Sequence, residues 1–569
     1  MLSQHNKDLI AKLQAKIAAA SAATSATAAT QSSVTQVVES TEVSTPTHLQ
    51  QSIDRYGSVI TYNEKQQEFI NLVRQRKSCV LIGAAGTGKT TCMRGTIETL
   101  MQECYIPALN APHKHLHAAA PGIAVISYTR RAVSNIRRAL ADDMKGNCIT
   151  YHKLMEYEPV FYTVTDPETG QEKNTMKFEP TRNQYHTLPE NLKCIIVEEA
   201  SMLSVEYWNL IVNALAHETQ VIFLGDIYQL PPVFGAAILG YKLNELPVVE
   251  LTEVYRQALN SPIISYAHKI KNGEKFTITE KEVVENEDGK VTLHPWKKKL
   301  LSDDALTVTS KFFTHAHSTG IWNPESDIIL MPFNKAYGTI ELNKHLATYL
   351  ASLQSNPVFE IIAGFNKIYL RVGERVMVDK EDATVVSITR NATYLGAKFQ
   401  KESVHMDYWG AVNAPENSHH IAEFDDDNSD DVANVDFILE QLANTSEEDR
   451  VHTASHNVVV QLDQGEREVT LTTAAELNNL LLGYAITVHK AQGSEWDKVF
   501  LLFHRSHATM LSRELLYTAM TRAKKEIYCI CEKDTFYKGV ISQRIKGTTL
   551  AEKAEYFKGK ALEPGVEIL

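Results

Sequence analysis

Short apolar runs alternate with stretches of helical spacing from Gly57 to about Leu251. Residues 78–82, Ile123–Ser127, Cys194–Val197 and residues 220–224 are each apolar almost throughout, and helix-like segments separate them. Strands covered by helices on both faces have this unbroken apolar character, so the pattern predicts a mostly parallel sheet. A second set follows at residues 327–331, 484–488, 498–503 and 526–531. Together they predict an α/β chain with two parallel sheets. Residues 374–378, 384–389 and 456–462 read instead as short alternating, β-like segments, which predicts a β-rich insertion over residues 373–480. Two further alternating runs flank Asp166-Pro167-Glu168-Thr169-Gly170 and predict a hairpin within residues 155–191.

Residues 1–50 follow neither period. Leu9, Leu13 and Ile17 share one helical face, but the Ala/Ser/Thr tract after them is too poor in large apolar side chains to build a core. A disordered low-complexity tail is expected, with a short helix at its start as a site for a protein partner. The first 50 residues hold no Arg and do hold acids, which argues against an organelle presequence.

The 569 residues carry a net charge of −12, with 44% hydrophobic and 22% charged side chains, an ordinary globular composition. No run of 18 apolar residues occurs, so no membrane-spanning helix is expected. The seven cysteines are scattered in a way that fits unpaired thiols in a reducing compartment. Much of the acid is local: Glu423, Asp425 to Asp427, Asp430, Asp431 and Glu447 to Asp449. Whole-chain charge therefore does not exclude a nucleic-acid partner, because a local basic channel is what meets phosphates. His113, His115 and His117 lack a nearby Cys or carboxylate in sequence, and a metal site there is not expected.

The chemistry starts where the first apolar run ends. Gly83-Ala84-Ala85-Gly86-Thr87-Gly88-Lys89-Thr90 is G-x-x-x-x-G-K-T between a strand and a helix that Thr91 continues. Backbone amides of such a loop wrap phosphates, its lysine reaches the β and γ phosphates, and its Thr hydroxyl binds Mg²⁺. At the end of another buried run, Glu198 is placed to hold Mg²⁺ through water and Glu199 to act as general base. Gln229, in Gly225-Asp226-Ile227-Tyr228-Gln229-Leu230-Pro231-Pro232, is placed to sense the γ-phosphate.

With Asn63-Glu64-Lys65-Gln66, Ile126-Ser127-Tyr128-Thr129-Arg130-Arg131-Ala132, Thr150-Tyr151-His152-Lys153-Leu154 and Val254-Tyr255-Arg256-Gln257, these segments form an ordered set. Tyr484 to Ser494 and Leu516 to Ala523 complete it. The set resembles superfamily 1 helicases, in particular the 5′→3′ branch that includes the phage helicase Dda and the RecD-like enzymes. The resemblance implies two RecA-like P-loop NTPase-type domains, at residues 51–260 and at 261–372 with 481–569. A hairpin pin would project from the first domain and an SH3-like wall, residues 373–480, from the second.

It further implies ATP and Mg²⁺ as cofactors, with Gln66 on the adenine edge and Arg256 and Arg522 on the γ-phosphate. Thr129, His152, Thr487 and His489 would face single-stranded DNA, and Phe161, Tyr162 or Phe178 would stack at the fork. For both histidines a buried structural role is the competing expectation. The protein would then be a stand-alone motor in the cytoplasm of a bacterium or phage-infected cell, acting in replication, recombination or repair. Protein partners would dock on the N-terminal segment or on the acidic loop at residues 423–431.

One departure stands out: the family usually has Asp then Glu where this chain has Glu198-Glu199. Contact through water accommodates the extra methylene. An RNA or RNA–DNA helicase, and an ATP-switched clamp or recombination mediator that does not unwind, are the competing functions.

Overall fold

The computed structural model describes residues 51–53, 59–394, 453–462 and 467–568, except 103, 105, 110–111, 119, 141, 166–171, 255–259, 276–277, 279, 297–300, 336, 365, 379–380, 393, 561 and 563–567. The expectations for residues 1–50, for Arg256 and for the acidic loop lie outside the described residues.

The first domain is built on six parallel strands in the order Val248–Leu251, Cys79–Gly83, Gln220–Gly225, Cys194–Val197, Ile123–Ser127, Cys148–Thr150. The four middle strands are buried along their whole length. That is why they read as unbroken apolar runs. The two edge strands were not foreseen. Cys148–Thr150 has three residues, too few for any period, and Val248–Leu251 is buried at alternate positions only.

The second sheet runs Glu282–Asn286, Gly289–Pro295, Ala523–Cys531, Trp496–Phe503, Ile328–Met331, Ala485–Thr487. It is parallel apart from the first pair. The first two strands also escaped the sequence reading, because Glu282–Asn286 is exposed at every position and has no apolar face. These are the two parallel sheets expected from the pattern, and they fit the two RecA-like domains that the resemblance implies.

A seven-stranded antiparallel sheet forms the insertion among the described residues. It contains Arg375–Val378, Glu381–Arg390 and Thr453–Leu462, and also Phe359–Ala363, Asn366–Leu370 and Glu468–Thr473. The sheet therefore begins ahead of Gly373: Phe359–Ala363 bonds to Thr453–Leu462 at Ala363 and Ala454. Only tertiary pairing reveals that the earlier hairpin belongs to it.

Several contacts tie these bodies together, two of them away from the strand ends. Arg131, from the first domain, is ion-paired in the interior with Asp382 of the insertion. Its guanidinium lies 4.5 Å from the ring centroid of Trp496 in the second domain, and Trp496 Nε1 donates to Asp382 Oδ2 at 2.9 Å. Arg375 approaches the same carboxylate at 3.6 Å. Burial opposes the charge on Asp382, but Arg375, Arg131 and Trp496 hold its carboxyl below the usual range. On another face, the helix Leu550–Lys558 lies on Ile238–Glu245 of the first domain. A Cβ on Gly240 would sit 2.3 Å from the Phe557 ring, so glycine is what permits the approach.

The expected hairpin is present. Tyr157–Thr165 pairs with Glu172–Pro180, placing Phe161 opposite Met176 and Pro159 opposite Phe178. Its foot is a buried ion cluster. Arg182 donates to Glu156 through Nε and Nη2, both at 2.8 Å, and the Lys114 amide adds a bond at 2.7 Å. His113 lies 3.6 Å away. The histidine run thus has a carboxylate neighbour after all, one that is already committed to an arginine.

Burial alone would raise the Glu156 carboxyl, yet Arg182, the Lys114 amide and His113 hold it down to about 2, from 4.5. A depressed carboxylate contributes stability that is complete above the unfolded value and lost as pH falls through the folded one. Thermal melts should therefore show destabilisation as pH drops from about 4.5 towards 2. The Glu156→Gln variant should lose about 3 kcal/mol at neutral pH, because it leaves Arg182 buried without its counter-charge. A melting temperature equal to wild type would refute this.

Candidate nucleotide cleft and strand-facing surface

Three neighbouring strands of the first sheet deliver the chemistry at their carboxyl ends. Cys79–Gly83 runs into the P-loop, Gln220–Gly225 into Asp226 and Gln229, and Cys194–Val197 into Glu198 and Glu199. This is where open α/β sheets hold ligands. The loop needs its glycines: Gly86 and Gly88 have φ of 80° and 82°, and a Cβ on Gly83 would meet Thr87 Oγ1 at 2.4 Å. Lys89 Nζ donates back to the loop carbonyls of Gly83, at 2.6 Å, and Ala84, at 3.3 Å. Thr87 Oγ1 donates to Ala84 O at 2.9 Å.

The loop opens on a cavity of about 790 Å³. The side from the first domain presents Ala84, Ala85, Gly86, Thr87, Gly88, Lys89, Thr90 and Thr91, with Glu198, Glu199 and Gln229. The far side presents Gly493, Thr521, Arg522 and Lys524. A volume of this order suits a nucleotide-sized ligand. Arg522 is 4% exposed and is held by the Thr518 and Ser494 carbonyls at 3.0 and 3.2 Å and by Thr521 Oγ1 at 3.0 Å.

Glu199 has φ 54° and ψ 41°, a left-handed conformation that costs a non-glycine residue about 1 kcal/mol or more. Burial and the adjacent Glu199 push the Glu198 carboxyl above the usual carboxylate range, while Lys89 and Arg522 pull against them. Two acids forced together against burial are a donor set that a divalent cation would stabilise, so the residues fit Mg²⁺ held by Glu198 and Thr90. Gln229 is 5% exposed, and its Oε1 is buried without a donor among the described residues. A buried acceptor lacking a partner fits the orientation of a water by its proton.

The structure adds a bridge across the cleft. Tyr517, in the helix Arg513–Met520 of the second domain, accepts from the Ala85 amide at 2.8 Å and donates to Asp226 Oδ2 at 2.7 Å. Thr518 Oγ1 accepts from the Leu230 amide and Gln492 Nε2 donates to the Leu230 carbonyl, both at 2.9 Å. Tyr517 and Asp226 both lie inside motif strings visible in the sequence. Neither stood out, because no spacing rule shows that two segments 291 residues apart share a hydrogen bond.

The other expected residues fall as follows. Gln66 is buried and forms a capping box with Asn63, and its Nε2 reaches the Gly88 carbonyl at 3.5 Å. It sits beside the P-loop, with its amide engaged inside the protein. Thr129 is turned into the protein. It is 3% exposed, caps the helix Arg130–Ala139 by accepting the Ala132 amide, and abuts Gly493, where a Cβ would be 2.5 Å from its hydroxyl. Thr487 is likewise buried, and its Oγ1 accepts from the Lys490 amide at 3.3 Å. Helix-capping hydroxyls fit the same short sequence patterns as ligand-facing ones.

His152 is half-buried in a ring cluster with Tyr128, Tyr151, Tyr157 and Tyr207, at centroid distances of 5.0 to 6.2 Å. His489 is half-buried too. Burial and then Arg544 lower its pKa to about 4, so it is neutral at pH 7 and offers no charge to a phosphate. Phe178 is 58% exposed near the hairpin foot. The side chains of Phe161 and Tyr162 lie outside the described residues.

Comparison with known proteins agrees with this geometry. The AAA domain family matches residues 66–235, and the UvrD-like helicase C-terminal domain matches residues 482–530. The chain is 26% identical over 500 residues to the ATP-dependent RecD2 DNA helicase of Deinococcus radiodurans, covering 86% of this chain and 52% of that protein. It therefore spans about half the length of this relative. It is 22% identical to the RecBCD enzyme subunit RecD of Buchnera aphidicola, over 81% of this chain and 71% of that one. Among solved structures, Bacteroides Pif1 bound to ssDNA aligns with a TM-score of 0.41 and 16% identity, covering 82% of this chain and 92% of that one. The two family matches and the RecD relatives, with the motifs converging on one cleft, make the chain similar to superfamily 1B helicases, the RecD-like ones among them.

Proposed function

We propose that the chain is an ATP-driven DNA helicase that moves 5′→3′ on single-stranded DNA and opens duplex at a fork. The observation that carries this reading is the shared cavity: the P-loop lines one side and Arg522, from the other domain, lines the opposite side. Glu199 accepts the proton of the attacking water as its oxygen bonds to the γ-phosphorus and the bond to the leaving ADP oxygen breaks. Gln229 Oε1 orients that water. Arg522 must leave its three internal acceptors to meet charge on the γ-phosphoryl oxygens, and Lys89 must leave the Gly83 and Ala84 carbonyls. Mg²⁺, held by Thr90 and Glu198, would neutralise phosphate charge. Both cations thus have acceptors within the protein and would exchange them on binding, which couples nucleotide occupancy to the fit between domains. The direction of travel rests on the RecD-like resemblance, and the name of the Deinococcus relative favours DNA over RNA.

Lys89→Ala should abolish hydrolysis. Arg522→Ala should retain binding of a non-hydrolysable ATP analogue within a few-fold while kcat falls roughly 10³-fold or more, the range for a displaced arginine finger. An Arg522→Ala enzyme with wild-type kcat would sink the shared-cavity reading.

Unwinding should occur on duplexes with a 5′ single-stranded tail, with Lys89→Ala as the inactive control. Strand separation from a 3′ tail alone would overturn the polarity. ATP hydrolysis indifferent to DNA, with no separation, would favour the ATP-switched clamp instead.

The hairpin is proposed as the wedge. Alanine at Phe178, Phe161 or Tyr162 should reduce unwinding while leaving strand-stimulated ATPase largely intact. If all three variants unwind as wild type does, the hairpin is not the wedge.

A further inference from the structure

Residues 226–230 join a central strand of the first sheet to Gln229, the group placed to orient the attacking water. The second domain holds both ends of this loop, through Tyr517 on Asp226 and through Thr518 and Gln492 on Leu230. Tyr228, the neighbour of Gln229, is held differently. It is buried, and two lysines approach its ring: Lys271 Nζ lies 4.1 Å from the centroid and Lys553 Nζ 5.2 Å. Lys271 stands in the helix Pro262–Asn272, and Lys553 in the helix Leu550–Lys558. Lys553 lies well beyond the last motif segment, which ends at Ala523.

Lys553 is 1% exposed, a rare setting for a lysine. Its ammonium donates to the Ile545 carbonyl at 2.9 Å and lies 3.8 Å from Glu514, a carboxylate just as buried. Glu514 also accepts the amides of Arg544 and Ile545, at 3.0 and 3.2 Å. It belongs to the helix Arg513–Met520, which carries Tyr517 as well. Burial lowers the pKa of Lys553, opposed by Glu514 and then Asp226, while Arg513 and Lys271 add to the lowering. Burying an ammonium is costly, and a methionine of similar reach would fill the space without that cost. Packing alone therefore does not call for a cation here. What the cation adds is a point to which a carboxylate, a carbonyl and a ring face are all drawn.

The helix that carries Lys553 is itself fastened to the first domain. Phe557 lies against Gly240 and meets the Tyr241 ring edge-on at 5.2 Å, and Asn244 Nδ2 donates to the Ala554 carbonyl at 2.9 Å. After the strand Ala523–Cys531 of the second sheet, the chain thus crosses to the first domain and touches the sensor loop at Lys553. Residues 532–560 form a strap with one end on each domain.

We propose that Lys553 is a positioning residue for ATP hydrolysis: from this strap it fixes the Tyr228 ring, and with it the adjoining Gln229. The proposal rests on the hydrolytic reading of the cleft. Because the strap is anchored on both domains, the place of Gln229 follows their arrangement, and hydrolysis is tied to one state of the cleft.

The test compares wild type with Lys553→Met, with Lys553→Met/Glu514→Gln, which relieves the carboxylate left without its counter-charge, and with Tyr228→Leu, which touches neither charge. Affinity for a fluorescent, non-hydrolysable ATP analogue should stay within about twofold, since the groups that hold phosphate are intact. At saturating ATP and oligo(dT), kcat should fall about tenfold, less than the roughly 100-fold that a full ångström of misplacement can cost. In a Gln229→Ala background, where kcat is already low, the same substitutions should lower it no further. That lack of additivity separates positioning of Gln229 from a general loosening of the fold.

Variants that bind the analogue and hydrolyse ATP as wild type does would reduce the strap to packing, overturn the proposal and leave the motor reading standing. A further fall in kcat in the Gln229→Ala background would also overturn it, because Lys553 would then act through another group. Loss of analogue binding in every variant would make the strap a requirement of the fold and would equally overturn the positioning role. If wild type hydrolyses no ATP, the motor reading fails and the role of Lys553 falls with it.

Discussion

The buried pair of Arg131 and Asp382 is the constraint on which the rest depends. A carboxylate with almost no exposure must be neutralised, and here the neutralising groups come from different bodies: Arg131 from the first domain, Arg375 from the insertion and the Trp496 N–H from the second domain. Removing one partner would strand a charge in the interior, which costs several kcal/mol. The pair therefore fixes how three bodies meet. On one side of it Gly493 abuts Thr129 and bounds the nucleotide cavity, and on the other Arg130 and Glu381 line a second, basic groove.

The cleft works through competition for hydrogen-bond acceptors. Lys89 and Arg522 are satisfied by protein carbonyls and a hydroxyl, and the Ala85 amide is satisfied by Tyr517. Each of these bonds contributes, since a buried polar group without a partner is costly. Phosphate oxygens would offer the same donors charged acceptors in a better field. Affinity then depends on the difference between two bonded states, and that difference is felt by both domains because Tyr517 and Arg522 belong to the second.

Much of the first domain was legible because its central strands are buried on both faces and read as continuous apolar runs. Edge strands were not: Cys148–Thr150 is too short, and Glu282–Asn286 is wholly exposed. The P-loop, Glu198, Glu199, Gln229 and Arg522 were found by motif, and all line one cavity. That the hydroxyls of Thr129 and Thr487 accept local backbone amides was not legible, because such a use leaves no mark on spacing. Tyr517 and Asp226 were quoted in their motifs and given no role, since their bond joins two domains.

By itself, the sequence determined the local chemistry: a glycine loop that must turn through positive φ, two adjacent acids after a buried strand, and an alternation that makes parallel sheets. These follow from the backbone preferences and side-chain periods of a few neighbouring residues. Only the tertiary structure decided which distant groups face one another. It set Arg522 across from Lys89, Tyr517 between Ala85 and Asp226, and Lys553 beside Tyr228. Such meetings depend on how buried charge and apolar area are shared between separate domains, and no local pattern carries that information.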